Sequence, residues 1–281
     1  MTKSILTQSH LTAYARFLAS EERASSTIEK YSRALEAFAV WLAGREVTKE
    51  MVTQWKAHLL ENGQSPSTVN AKLAAVNGLS RFMGWDNCRV KFLKLQKPVF
   101  RDASRELTGT EYRRLLEAAS HLCMEWLALL METICATGIR VSEVKYITVE
   151  AARAGRADVA LKGKIRTILL PQKLQKKLLK YAKKKKIASG EIFRHRDGTR
   201  LSRYQIWKAM KNLYKETMVE ASKIFPHNLR HLFAVTFYQA TRDIVKLANV
   251  LGHSSIETTR IYLLTTDEEY SRQLEQLGLV I

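Results

Sequence analysis

The sequence predicts a mainly α-helical protein of two domains, with a small antiparallel β-hairpin in the second domain. Apolar residues recur at helical spacing through most of the chain, and the one strong alternating pattern lies within residues 157–171. Helical periodicity lapses over residues 94–106, which are rich in charge. We therefore expect a helical domain over 1–93, a linker over 94–106 and a second domain over 107–281.

The first domain is predicted to be a small α-domain of four helices. Residues 26–29, with the sequence STIE, have the pattern of a capping box ahead of the second helix. Residues 47–50 start the third helix, which Gly63 ends, and Ser65 followed by Pro66 supplies a cap and a first-turn proline for the fourth. The aromatic residues at helical spacing are expected to form the core of this domain.

The second domain begins with another capping box at residues 108–111 (TGTE), and a long apolar helix is expected over about 122–135. Residues 157–171 then alternate, with a turn at residues 162–164, which predicts two antiparallel strands. Helical patterns return afterwards, one of them capped at residues 202–205 (SRYQ), and continue to the end of the chain.

The charge of the chain points to a polyanionic partner. Its 281 residues include 46 Lys and Arg against 27 Asp and Glu, a formal net charge of +19. Both halves are basic, which favours nucleic acid over a membrane surface and suggests that the partner touches both domains. The densest run, from Lys173 to Lys186, holds 8 lysines in 14 residues. It is either a solvated helix face or a phosphate contact.

Composition excludes several other classes of protein. Hydrophobic residues make up 46% of the chain, with only 12 Gly and 4 Pro, which excludes disordered, collagen-like and low-complexity chains. No run of 18 apolar residues is long enough to span a bilayer, and the first residues lack the apolar stretch of a secretory signal. The 3 cysteines lack metal-ligand spacing and cannot form a closed disulfide set. We therefore expect a cytoplasmic protein without contact to a membrane.

Two short segments carry cationic groups that helix packing alone would not require. Gly138 ends the apolar helix, so Arg140 lies at a junction, where its side chain could project into a cleft or pair with Glu143 on the surface. His227 and Arg230 are three residues apart and share one helix face. That pair is suited to clamp a phosphate or carboxylate, or is one more basic helix face.

Two further segments place a histidine and a tyrosine near the C-terminus. Gly252 closes one helix and Ser255 can cap the next, which holds His253 at the corner between them. Tyr262 follows on the helix that is expected to start near Ser255. Taken singly, each of these residues is more often structural than catalytic.

The order and spacing of these segments together resemble the signature of the tyrosine recombinase (integrase) family. The stretches ATGIRVSEV, HNLRHLFA and LGHSSIETTRIYL, which begin at residues 136, 227 and 251, are similar to the boxes of that family. The resemblance covers residues 107–281 as a catalytic domain, and residues 1–93 look like the helical, SAM-like core-binding domain that precedes it.

The resemblance implies a role for each of these residues. Tyr262 would be the nucleophile, and Arg140 and Arg230 would hold the scissile phosphate. His227 would be the histidine of the His-x-x-Arg box, and His253 would occupy the later histidine or tryptophan position. A phenol attacking a phosphodiester needs its proton removed and the phosphate charge neutralised, and these residue types meet both needs.

Two supporting positions follow from the same resemblance. The family has a catalytic lysine in a β-hairpin, and the local sequence LKGKIR leaves Lys162 and Lys164 as alternatives, with Lys162 favoured by its Lys-Gly pair. Glu143 would brace Arg140. The leucines Leu274, Leu277 and Leu279 predict a short amphipathic helix within residues 271–281, which either docks on a neighbouring subunit, as the resemblance implies, or packs on its own domain.

The implied activity is site-specific recombination, in which DNA strands are cut and rejoined through a covalent 3′-phosphotyrosyl intermediate. The resemblance implies a two-domain DNA clamp that acts as a homo-tetramer on two double-stranded DNA sites in the bacterial nucleoid. No carboxylate trio with metal spacing is visible, so we expect neither a metal ion nor another cofactor, and no ATP. The alternatives are a type IB topoisomerase-like enzyme, which reseals the same strand, and a DNA-binding regulator without catalysis. The sequence leaves the DNA site and any accessory directionality factor open.

Overall fold

The computed structural model describes residues 4–95, 103–161, 164–262, 271–272 and 275–276. The chain divides into two compact units, residues 1–97 and 98–281. The predicted linker lies partly outside the described residues, and its described end contains a short 3₁₀ turn, Ala103–Arg105.

The first unit has four helices within residues 4–95, as predicted. They are α1 (Gln8–Ser20), α2 (Ser25–Leu42), α3 (Lys49–Glu61) and α4 (Pro66–Phe82). Thr48 caps α3 by accepting from the Met51 N–H, and Ser65 caps α4 by accepting from the Thr68 N–H. Their apolar faces meet in a core that includes Trp55.

The capping box expected at residues 26–29 is wrong. The carbonyl of Ala24 already accepts from the N–H groups of Thr27 and Ile28, at 2.7 and 3.1 Å, so α2 begins at Ser25. Ser26 therefore lies inside the first turn, where it is not the N-cap.

Two asparagines of α4 hold the extended segment that follows it. Asn77 accepts from the Val90 N–H at 3.1 Å and donates to the Val90 carbonyl at 2.9 Å. Asn70 repeats this exchange with Leu93, at 2.8 and 2.9 Å. The two amides are seven residues, or about two helical turns, apart, and together they satisfy backbone groups as a neighbouring strand would.

The second unit is also mainly helical, around the predicted hairpin. Its helices are α5 (Gly109–His121), α6 (Glu125–Thr137), α7 (Val149–Ala154), α8 (Gln172–Lys184), α9 (Arg203–Asn212), α10 (Tyr214–Thr217), α11 (Pro226–Thr241) and α12 (Ile244–Leu251). The capping boxes predicted at residues 108–111 and 202–205 are both present. Helix α6 begins later than expected because Cys123, with φ of 56°, has a left-handed conformation that does not continue a right-handed helix.

The hairpin pairs β1 (Arg156–Leu161) with β2 (Lys164–Leu169) in antiparallel register. Leu161 pairs with Lys164, so Lys164 belongs to the strand and not to the turn. The structure does not describe residues 162–163 or the side chains of Leu161 and Lys164.

The lysine run between Lys173 and Lys186 follows one side of α8 and the turn after it. All of its lysines are exposed, whereas Leu174, Leu178 and Tyr181 on the opposite side are buried in the core. This distribution fits a solvated helix face. In the described ranges, no helix has the length and apolarity required to cross a membrane.

Candidate active site

The end of α6 places Arg140. Gly138 closes the helix with φ of 65°, a left-handed conformation that favours glycine. A Cβ added to Gly138 would come within 2.5 Å of Phe233 Cε1 and 3.1 Å of Leu251 Cδ2. The glycine therefore lets α6, α11 and the end of α12 approach one another, and Arg140 follows directly at this meeting point.

Glu143 lies against Arg140. Its side chain is 1% exposed, and its Oε1 accepts from Arg140 Nη1 at 3.0 Å. Its Oε2 accepts from the backbone N–H of Arg140 at 2.7 Å and from Arg166 Nη2 at 2.5 Å. The buried carboxylate is thus shared between two guanidinium groups.

Arg230 is buried, on the first turns of α11. Its Nη1 donates to the carbonyl of Gly138, and its Nη2 donates to the carbonyl of Leu251 at 2.8 Å. Burial, followed by the positive charge of Arg140, lowers the pKa of Arg230 to about 10. The guanidinium is therefore still charged at neutral pH, and its two carbonyl partners fix its orientation.

His253 contacts Arg230 directly, and the contact fixes its tautomer. Arg230 Nη2 lies 3.0 Å from His253 Nε2, and a guanidinium can only donate, so Nε2 accepts. The proton then lies on Nδ1, which donates to Thr259 Oγ1 at 2.9 Å. Burial, followed by the charges of Arg230 and Arg140, lowers the pKa of His253 to about 4. The ring is therefore neutral at pH 7.

His227 lies one helical turn before Arg230 on α11, with an exposed side chain. Desolvation of its ring, followed by the charges of Arg230 and Arg140, lowers its pKa. A neutral imidazole can accept a proton, so His227 is in the protonation state that a general base requires.

Tyr262 lies in the same corner, packed against α11 and α12. It is 3% exposed, and its ring stacks on His253 with centroids 6.2 Å apart. The ring of His231 meets it edge-on at 5.0 Å. Tyr262 therefore stacks on the same imidazole ring that Arg230 contacts.

The expected helix carrying Tyr262 is replaced by two 3₁₀ turns, Ile256–Thr258 and Arg260–Tyr262. The Tyr262 N–H bonds to the Thr259 carbonyl at 3.0 Å, an i to i+3 contact. Thr259 is itself held by His253, and β-branched residues are poor helix formers, which explains the tighter turns.

The predicted hairpin lysine lies outside the described residues. This applies to Lys162 as a whole and to the side chain of Lys164. The predicted tail helix at residues 271–281 also lies largely outside them, with short helical pieces at 271–272 and 275–276. Both stay predictions.

Arg166 and Thr259 are two residues of the site that were not predicted from the sequence. Arg166 joins Glu143 to the hairpin, and Thr259 holds the Nδ1 side of His253. The sequence did offer a signal for Arg166, because it ends the LKGKIR stretch in which the hairpin lysine is predicted and lies two residues after Lys164 on the same strand.

The described residues form a cluster with net positive charge. Arg140, Arg166 and Arg230 bring three positive charges against the single carboxylate of Glu143, and His253 is neutral. Guanidinium groups suit phosphate because their fork of donors matches its oxygens. Within the described ranges, no group of three or more His, Cys, Asp or Glu side chains is placed to hold a metal ion.

Comparison with known proteins supports the same interpretation for both units. Residues 105–269 match the model of the phage integrase family, and residues 11–87 match the phage integrase N-terminal SAM-like domain. The tyrosine recombinase XerC of Roseiflexus castenholzii is 31% identical over 274 residues, covering 89% of this chain and 87% of that protein. XerA of Thermococcus kodakarensis is 27% identical, covering 95% and 94%.

Solved structures share the fold. A lambda integrase (75–356) dimer bound to a COC′ core site has a TM-score of 0.72 at 19% identity, covering 92% of this chain and 95% of that one. XerH bound to its difH substrate, in a pre-cleavage complex, has a TM-score of 0.69 at 19% identity, covering 95% and 84%. Together with the family match over most of the second unit, these findings show that the chain belongs to the phage integrase family of tyrosine recombinases.

Proposed function

We propose that the chain recombines DNA at specific sites by cutting and rejoining strands through a covalent 3′-phosphotyrosyl intermediate. One observation carries the proposal. Arg140, Arg230, His253 and Tyr262 come from stretches far apart in the sequence, yet they meet where α6 and α12 end against the first turns of α11. Packing alone does not require two arginines, a neutral histidine and a tyrosine at one point.

Arg140 and Arg230 would bind the non-bridging oxygens of the scissile phosphate. Among the described contacts, Arg140 uses Nη1 for Glu143, and its side chain is 40% exposed, so its other donors can reach a ligand. Charge-assisted hydrogen bonds contribute roughly 1.5–3 kcal/mol each. Their effect is largest on the pentavalent state, where the negative charge is greatest.

The cleavage step would transfer one phosphoryl group and two protons. The Tyr262 oxygen attacks phosphorus, and the bond from phosphorus to the 5′-oxygen breaks. The phenolic proton passes to neutral His227, and the leaving 5′-oxygen receives a proton from Lys162 or Lys164. The phosphotyrosyl ester conserves the energy of the broken bond, so a second 5′-hydroxyl can attack it without ATP, a metal ion or another cofactor.

His253 has a different role before DNA is bound. Its Nε2 accepts from Arg230, and its proton lies on the side of Thr259. In this state His253 orients Arg230. To donate to a phosphate oxygen from Nε2, it would have to give up the contact with Arg230 and gain a proton there.

Both units would bind double-stranded DNA. The formal charge of +19 is spread over both halves of the sequence, and phosphate contacts supply most non-specific affinity. We propose that residues 1–93 form the core-binding domain and residues 107–281 the catalytic domain. The enzyme would act as a homo-tetramer on two DNA sites, with residues 271–281 docking on a neighbouring subunit.

The nucleophile can be tested without knowing the DNA site. Wild type, Tyr262→Phe and the control Tyr238→Phe are incubated with fragments of DNA from the neighbourhood of the gene. Protein–DNA adducts are then trapped with detergent, and their DNA ends are sequenced. We expect adducts at a defined site with wild type and Tyr238→Phe and none with Tyr262→Phe. An adduct that survives in Tyr262→Phe would refute the assignment. Strand exchange between two copies of the mapped site then separates recombination from resealing.

Arg140→Ala tests phosphate binding at the same mapped site. Removal of one donor to a developing oxyanion lowers rates by about 10²–10³. We expect a loss of cleavage of that order with DNA affinity largely retained, measured by adduct formation and by fluorescence anisotropy. Equal loss of cleavage and affinity would assign Arg140 to docking.

A further inference from the structure

We propose that Arg166 is a positioning residue of this site. Its charge balances that of Glu143, so that the positive charge of Arg140 is not cancelled and can attract the DNA phosphate. The inference rests on the proposed function. It concerns a residue that does not itself need to touch DNA.

Arg166 connects three separate parts of the second unit. It lies on β2, and its Nη2 forms an ion pair with Glu143 Oε2 at 2.5 Å. Its Nη1 donates to the carbonyl of Val250, near the end of α12, at 2.6 Å. The side chain is 15% exposed, so these contacts are largely shielded from water. The hairpin, the turn after α6 and the corner before His253 are thus held by one guanidinium.

The backbone makes room for Arg166 at Gly252. This residue closes α12 with φ of 64°, and a Cβ there would lie 2.5 Å from Arg166 Cδ and 3.0 Å from its Nε. The Nε atom is buried without a hydrogen-bond partner in the part of the chain that the structure describes. A buried donor without a partner is costly, so the contacts of the two terminal nitrogens must outweigh that loss.

The charges explain why a second guanidinium is needed. Glu143 is buried and carries one negative charge, which Arg140 alone would cancel. An approaching phosphate would then meet a neutral pair. With Arg166 on the other oxygen, the three groups together carry a charge of +1, and the more exposed member, Arg140, can direct it to a ligand.

The same charge acts on His253. The positive charge of Arg166 contributes to the lowered pKa of His253, after burial and the charges of Arg230 and Arg140. The His253 ring therefore reports the charge of Arg166 in the free protein, without any DNA.

The experiment compares Arg166→Met, which removes the charge, with Arg166→Lys, which keeps it. Thr167→Val is the matched control, because Thr167 is the next residue on β2 and bonds to Asp158 on the exposed face of the hairpin. Cleavage is measured below the unfolding temperature of each variant on duplexes carrying the mapped site. The scissile position holds either an ordinary phosphodiester or a methylphosphonate, which lacks one negative charge.

We expect Arg166→Met to lower cleavage of the phosphodiester by roughly 10–100-fold and that of the methylphosphonate by less than about 3-fold, since the neutral group needs less cationic stabilisation. Arg166→Lys should retain more activity than Arg166→Met, and Thr167→Val should match wild type. Equal losses on both substrates would show a purely structural role and overturn the proposal.

NMR titration of His253 supplies a second measurement that does not depend on cleavage. We expect its pKa to rise in Arg166→Met and to stay low in Arg166→Lys and Thr167→Val. An unchanged pKa in Arg166→Met would overturn the proposal. If the pKa rises but wild type forms no adduct through Tyr262, the charge balance stands and the proposed function fails.

Discussion

Replacement of Gly138 by alanine tests how closely the helices approach one another at the candidate site. Its φ of 65° costs an L-residue roughly 1–2 kcal/mol. The added methyl group would also lie 2.5 Å from Phe233 Cε1, and an overpacked core typically loses about 1–3 kcal/mol more. We therefore expect the free energy of unfolding to fall by about 2–5 kcal/mol. For a unit of this size that corresponds to a Tm about 5–15 °C lower.

Two further variants separate the causes. Gly190→Ala changes a glycine with φ of 77° that has nothing within 4 Å of the added Cβ, so only the backbone cost of roughly 1–2 kcal/mol should appear. Phe233→Leu in the Gly138→Ala background should recover part of the lost stability, because it removes the ring in the way. Urea unfolding and calorimetry give the values. If Gly138→Ala costs no more than Gly190→Ala, the close approach of α6 and α11 is wrong.

Three other outcomes follow from contacts described above. The pKa of His253 is about 4 in the folded protein and about 6.5 in an unfolded chain, so the unfolded chain binds more protons between these pH values, and stability falls as the pH is lowered from 6.5 to 4. In His253→Asn, the Tm should fall less over this pH range. An unchanged slope of Tm against pH would contradict the low pKa. Asn77→Ala removes both hydrogen bonds to Val90 and should lower the free energy of unfolding, measured in urea, by about 1–3 kcal/mol. The control Asn249→Ala, at an exposed asparagine, should change it little. DNA affinity should fall about 10³-fold or more between 50 and 200 mM salt, as expected for six or more phosphate contacts, and a flat salt profile would count against binding through the basic surface.

Local signals in the sequence predicted the parts of the site that are decided within a few residues. Gly138 and Gly252 both end helices in the left-handed conformation, as predicted, because the end of a helix depends on backbone dihedral angles at one position. The hairpin was visible for the same reason, since alternation reports one strand at a time.

Contacts between distant segments were not visible. Arg166 donates to a carbonyl 84 residues away and Arg230 to one 92 residues away, and no spacing rule connects such positions. The 3₁₀ turn that carries Tyr262 was also not predicted, and neither was the bond from His253 to Thr259 beside it. Family resemblance predicted the residues of the candidate site, whereas the partners that orient them are visible only in the fold.

Two arginines of the site, Arg166 and Arg230, contact helix ends whose polarity is unfavourable for a phosphate. The carbonyls of Gly138, Val250 and Leu251 belong to the C-terminal ends of α6 and α12, which carry partial negative charge and would repel an anion. Arg166 and Arg230 occupy these carbonyls and reverse the sign of the local field. Loss of either guanidinium would therefore do more than weaken the attraction of a phosphate, because the carbonyl oxygens that it now binds would be left free to repel the phosphate.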